Sequence, residues 1–132
     1  MGVMPSFLAT FAVMAVLDGI WLLVVARSFY RQHLGFLMAD TPNWAAAGAF
    51  YVIYAVGVTV FATQAGVEDA SVLTAAWRGA LFGLVAYATY DLTNMATLRG
   101  WPTIVTVVDM AWGTALSAAV AAAATFIVLQ LT

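Results

Sequence analysis

The sequence predicts an all-α integral membrane protein, a bundle of four transmembrane helices, on three observations. Of its 132 residues 65% are apolar and only 8% charged, against about 25% charged in a soluble domain. Four windows are each long enough, at roughly 20 apolar residues, to cross the hydrocarbon core. The boundaries between those windows carry stop and start chemistry, Asp40-Thr41-Pro42-Asn43 before the second and Gly100-Trp101-Pro102 before the fourth.

The first window runs over about residues 5–26 and the second over about 44–65. The third covers about 74–95 and the fourth about 103–129. Met1 to Ser6 carries no Lys or Arg and Asp18 interrupts the apolar run, so the first window reads as a retained helix rather than a cleaved signal. Asp40-Thr41-Pro42-Asn43 offers a cap with proline in the first turn of the second helix. Glu68, Asp69 and Ser71 sit where the N-terminus of the third favours negative charge. Gly100 and Pro102 form a tight turn, so the third and fourth helices must be antiparallel neighbours. The long first connection, Arg27 to Asn43, has Phe29, His33 and Leu37 at helical spacing, which predicts a short interfacial helix or an extension of the first span. Open strands are excluded because their edges would go unpaired in lipid.

The same composition excludes several functions. A net charge of −2 without a basic patch argues against nucleic acid as a partner. Zero cysteines exclude a disulfide scaffold, a thiolate metal site and a cysteine nucleophile. No catalytic triad, phosphate-cradling glycine loop or zinc signature is present, no metal site is assigned, and no cofactor is indicated. Lone His33 is a weak metal ligand. The reading leans away from an enzyme.

Arg27, Arg31 and Arg99 fall in the first and third connections, whereas Arg78 alone lies toward the other side. The positive-inside rule then puts those connections in the cytoplasm and both termini outside. Tyr30, Trp44 and Trp101 fit an aromatic belt at the inner interface and Trp77 one at the outer, with Arg78 snorkelling outward beside it.

Three aspartates lie inside the windows: Asp18, Asp91 and Asp109. Each costs about 2.5–3.5 kcal/mol at a helix centre if exposed to lipid, so they should face the bundle interior. At a rise of about 1.5 Å per residue they lie about 13, 12 and 10 Å from the ends of their spans, nearly one level. Tyr51 and Tyr54 of the second span reach the same depth. Gly79, Gly83, Tyr87 and Asp91 recur at intervals of four, as do Asp109, Gly113, Ser117, Ala121 and Thr125. Such small-residue rows let backbones approach, and antiparallel packing brings Asp91 near Asp109 and Gly83 near Ser117. Asn94, Tyr87, Thr93 and Thr106 are candidate partners of the carboxyls. Asp18–Trp21 and Asp109–Trp112 share an i, i+3 spacing that makes the indoles packing support or donors to carboxylate. Carboxylates clustered in a low dielectric cannot all stay ionised, so one or more should hold a proton at neutral pH.

Leu17-Asp18-Gly19-Ile20-Trp21, Tyr90-Asp91-Leu92-Thr93-Asn94 and Val108-Asp109-Met110-Ala111-Trp112-Gly113 resemble a bacterial membrane-protein family, domain of unknown function 2177. The resemblance implies a multi-pass protein of the bacterial inner membrane and supplies no reaction. Three functions then fit the residues. The first is binding of a proton, cation or small polar ligand at the aspartate layer, as in a proton-coupled transporter or a component of one. The second is an intramembrane protein or enzyme for a lipid, isoprenoid or quinone. The third is a structural or assembly subunit of a membrane complex. Membrane lipid is the expected partner, with a homo-oligomer or larger complex open; the first function ranks ahead.

Overall fold

The four long apolar runs become four long helices. The computed structural model describes residues 2–132, and its spans are Val3–Val25, Trp44–Asp69, Val72–Thr97 and Thr103–Gln130. Each is long and apolar enough to cross a membrane. No strand occurs among the described residues.

The caps refine the expected ones. Asn43, not a residue before Pro42, caps the second span by accepting from the Ala46 amide at 3.1 Å, so Pro42 lies outside the helix. Ser71 caps the third span by accepting from the Thr74 amide at 3.1 Å. Glu68 and Asp69 belong instead to the last turn of the second span, which stops where Ala70 turns left-handed at φ 50°. Asp69 still serves the third span by accepting from the Thr74 hydroxyl at 3.3 Å. Gly100, at φ +80°, supplies the turn into Pro102 that alanine would resist.

Two spans contain π-helical turns, at Trp21–Val25 and Thr59–Thr63. The first ends at Ala26, whose amide donates back to the Trp21 carbonyl at 2.7 Å. The chain then re-enters a short helix, Arg27–Leu34. Its inward face is Phe29, Tyr30, His33 and Leu34, all partly buried, while Leu37 is half-exposed. Phe29 and His33 of the expected Phe29–His33–Leu37 stripe lie on that face, but Leu37 does not, because the helix ends at Leu34 and Gly35–Leu37 tightens into a 3-10 turn. Tyr30 turns into the bundle rather than joining an interfacial belt.

The third and fourth spans form the most extensive contact. A Cβ on Gly83 would collide with the Gly113 carbonyl and come within 2.7 Å of Ser117 Oγ, so only glycine permits this backbone approach. Gly79 makes the same approach to the Ser117 carbonyl. Against this seam pack Met14 of the first span and Tyr54, Ala55, Val58 and Ala62 of the second, around Leu116 and Val120. Toward the termini a second polar set is buried: Thr10 and Thr63 share a hydroxyl hydrogen bond of 2.9 Å, and Thr125 donates to the Thr63 carbonyl at 3.3 Å.

Arg78 lies beside Trp77, 5.6 Å from its ring centre. Rather than simply snorkelling outward, its Nε donates to the Phe61 carbonyl of the second span at 2.6 Å.

Candidate functional site

Asp18 occupies the last position of the buried row Ser6, Thr10, Met14, Asp18 on the first span. Its two carboxyl oxygens are each used: Tyr51 donates to Oδ2 at 2.6 Å and Trp112 Nε1 donates to Oδ1 at 3.1 Å. One aspartate thereby ties three spans together, and both donors are neutral. The indoles cross over rather than serving the aspartate three residues before them. Trp112 reaches Asp18, while Trp21 donates to the Tyr30 hydroxyl at 3.2 Å, and the two rings stack at 4.3 Å and 10°.

Asp109 begins the small-residue row of the fourth span and is buried. The Tyr30 hydroxyl donates to its Oδ1. Beside it, on the third span, stands Asp91, which is wholly buried, with neither carboxyl oxygen meeting a donor. The Asp109 carboxyl stands close enough for the two groups to interact. Two ionised carboxylates cannot hydrogen-bond to one another, whereas a carboxylic acid donates to a carboxylate. Toward the Gly100 turn this pair is closed by Trp101, whose indole donates to the Thr106 hydroxyl at 3.0 Å; that hydroxyl in turn reaches the Asp91 carbonyl at 3.4 Å.

In front of Asp109 lies a cleft of about 380 Å³ bounded by all four spans and the short helix. Asp18 and Asp109 are its acidic lining, and seven of its eleven lining residues are aromatic. No Arg, Lys or His lines it, so nothing in the wall offsets the carboxyl groups with positive charge. Its rim residues Leu22, Phe50 and Tyr90 are about half exposed. All three belong to spans, so the cleft opens sideways, toward acyl chains. The backbones of the second and third spans touch mainly near Thr59–Asp69, and toward Trp44 they diverge. Aromatic rings fill the widening gap: Tyr54 meets Phe82 at 5.3 Å and Tyr87 at 6.1 Å, both edge-on.

The residues singled out from the sequence thus fall into separate places. Asp18, Asp109, Tyr54, Tyr87, Trp21 and Trp112 line the cleft. Tyr54 also shares a 2.7 Å hydrogen bond with Ser117. Tyr51 lies outside the lining and acts through Asp18. Asp91 sits behind the wall, against Asp109. Asn94 does not line the cleft and lies beside Tyr90. Gly79, Gly83 and Gly113 form the seam, with the Tyr87 ring packed where a Gly113 side chain would be. Tyr30, Phe50 and Tyr90 were not foreseen as lining. The signal for Tyr30 was its spacing of four from Leu34 on the short helix.

The family model described as "Predicted membrane protein (DUF2177)" matches residues 3–126. The chain belongs to this family. The match takes in all four spans, leaving outside it only the last turn of the fourth. Neither the curated proteins nor the solved structures yield a match. The family description gives the membrane setting and no activity, so function rests on the geometry above.

Proposed function

We propose that this protein is a bacterial inner-membrane carrier, or a component of one, in which Asp91 and Asp109 hold one exchangeable proton and the cleft takes a small polar or cationic ligand. The single observation that carries this is the Asp91 carboxyl: wholly buried, without a donor, and set against a second carboxyl. An isolated buried carboxylate is strongly disfavoured. One proton between the two groups turns repulsion into a charge-assisted hydrogen bond, with Asp91 donating and Asp109 accepting from it and from Tyr30. Asp109 also faces the cleft, so a cation arriving there and the proton compete for the same carboxyl. That competition is the physical basis for coupling.

Asp18 supports a different role. With both oxygens satisfied by donors from two other helices, it fixes their register and shapes the cleft wall. The arginine bias supports an orientation with the Arg27–Asn43 and Leu98–Pro102 connections in the cytoplasm and both termini in the periplasm.

The test is infrared difference spectroscopy on protein in lipid nanodiscs at neutral pH. The expected result is a carbonyl band of a protonated carboxylic acid that disappears in Asp91→Asn and shifts in Asp109→Asn. Absence of the band, or its survival in both variants, would overturn the proton-sharing pair.

A further inference from the structure

The cleft's chemistry is more selective than a generic polar site. Its volume of about 380 Å³ is at the small end of ligand sites. Seven of its eleven lining residues are aromatic, among them the stacked Trp21–Trp112 pair, and they accompany two carboxyl groups and no basic residue. Aromatic walls with an acidic floor are the arrangement that holds quaternary ammonium groups through cation–π attraction. An inorganic cation is a poor match, because no three His, Cys, Asp or Glu side chains converge among the described residues and both Asp18 oxygens are already bonded. A ligand with a hydrophobic body can also reach the cleft directly from the bilayer through the rim of Leu22, Phe50 and Tyr90.

We infer that the cleft binds an amphiphilic organic cation of the substituted-ammonium class, which enters sideways from the lipid and seats its charge against Asp109 between Trp21, Tyr87 and Trp112. This rests on the carrier reading above and names its ligand class. Asp109 supplies the countercharge and the rings the shape. Tyr30, already bonded to Asp109, is the group the cation must displace or share with. Binding therefore strengthens as pH rises and the shared proton leaves.

The experiment uses nanodisc-reconstituted protein in which Trp44, Trp77 and Trp101 are replaced by phenylalanine, leaving Trp21 and Trp112 as reporters. Benzyltrimethylammonium is titrated against its uncharged carbon analogue, neopentylbenzene. The expected result is saturable quenching by the cation alone, with affinity at least tenfold weaker in Asp109→Asn and release of a proton in weakly buffered medium. Tyr90→Leu, at the half-exposed rim, serves as a second variant that leaves the packed interior in place and should weaken binding several-fold. Equal saturation by the neutral analogue, or cation binding unchanged in both variants, would overturn the ligand class. The carbonyl band of the Asp91–Asp109 pair is read in parallel on protein that keeps all five tryptophans, because Trp101 closes that pair. If it persists while cation binding fails, only the ligand class falls; if it is missing, the proton-sharing pair falls as well.

Discussion

The Tyr30 hydroxyl donates to the Asp109 carboxyl, so a residue outside the membrane spans is tied to an acidic group within the fourth. The bond docks the short helix Arg27–Leu34 under the bundle and closes one wall of the cleft. Burial first, and then the bond to Asp109, hold the Tyr30 phenol above its ordinary range near pH 10. Because its folded-state value exceeds the unfolded one, the neutral phenol's contribution is complete below about pH 10 and fades as pH rises through the folded value. Tyr30→Phe should therefore cost about 1.5–3 kcal/mol at neutral pH, the usual range for a hydrogen bond to a charged group. That difference should shrink in strongly alkaline buffer. Reversible unfolding in bicelles across pH checks both; a difference that grows with pH would contradict the assignment.

Asp18 gives a prediction that separates charge from hydrogen bonding. Asp18→Asn keeps an oxygen for the Trp112 indole and an amide that can donate to the Tyr51 hydroxyl. Asp18→Leu leaves both partners without a mate inside the bundle, at about 1–3 kcal/mol for each buried group left unpaired. The asparagine variant should unfold near the wild-type midpoint and the leucine variant well below it. Equal loss in both would mean that the negative charge itself, not the pair of hydrogen bonds, holds the three spans.

Much of this layout was legible in the sequence, for physical reasons that can be named. A four-residue repeat of small side chains marks a helix face, and so Gly83 against Ser117 and Asp91 against Asp109 follow from the tight turn at Gly100. Depth along a helix is simple arithmetic, which is why Asp18 and Asp109 could be placed at one level. The π-helical turns could not be read. Trp-Leu-Leu-Val-Val and Thr-Val-Phe-Ala-Thr are ordinary apolar runs, without the proline or glycine that usually announces a helix irregularity. The end of the short helix at Leu34 was equally silent, so a spacing of four carried past it selected Leu37, which lies in the 3-10 turn. The Trp21–Tyr30 and Trp112–Asp18 bonds were hidden for a related reason: an i, i+3 spacing shows that two residues share a face, not which helix that face meets.

The orientation is directly testable because the chain has no cysteine to obscure labelling. Gln32→Cys on the exposed side of the short helix and Glu68→Cys at the end of the second span are both accessible positions. With Arg27, Arg31 and Arg99 on the cytoplasmic side, a membrane-impermeant thiol reagent added to intact cells should label the Glu68 position. It should reach the Gln32 position only after the inner membrane is opened. The reverse pattern would invert the topology and place the cleft in the outer leaflet.

The seam between the third and fourth spans makes the sharpest stability prediction. At Gly83 any side chain meets the Gly113 carbonyl and Ser117, backbone and short side chain that cannot rotate away. Its neighbour Leu84 faces outward, 41% exposed, where lipid accommodates any apolar group. Gly83→Val must therefore push the two helices apart, with a cost of about 1–3 kcal/mol or more for overpacking, whereas Leu84→Val should be nearly neutral. The displacement carries Asp91 away from Asp109, because the two aspartates lie two helical turns along the same rows. Loss of the carboxylic acid band in Gly83→Val, with the helix content unchanged by circular dichroism, would show that close backbone approach at a residue outside the cleft lining sets the spacing on which proton sharing depends. Retention of the band in a destabilised Gly83→Val protein would instead mean that the aspartates hold their own spacing, independent of the glycine seam.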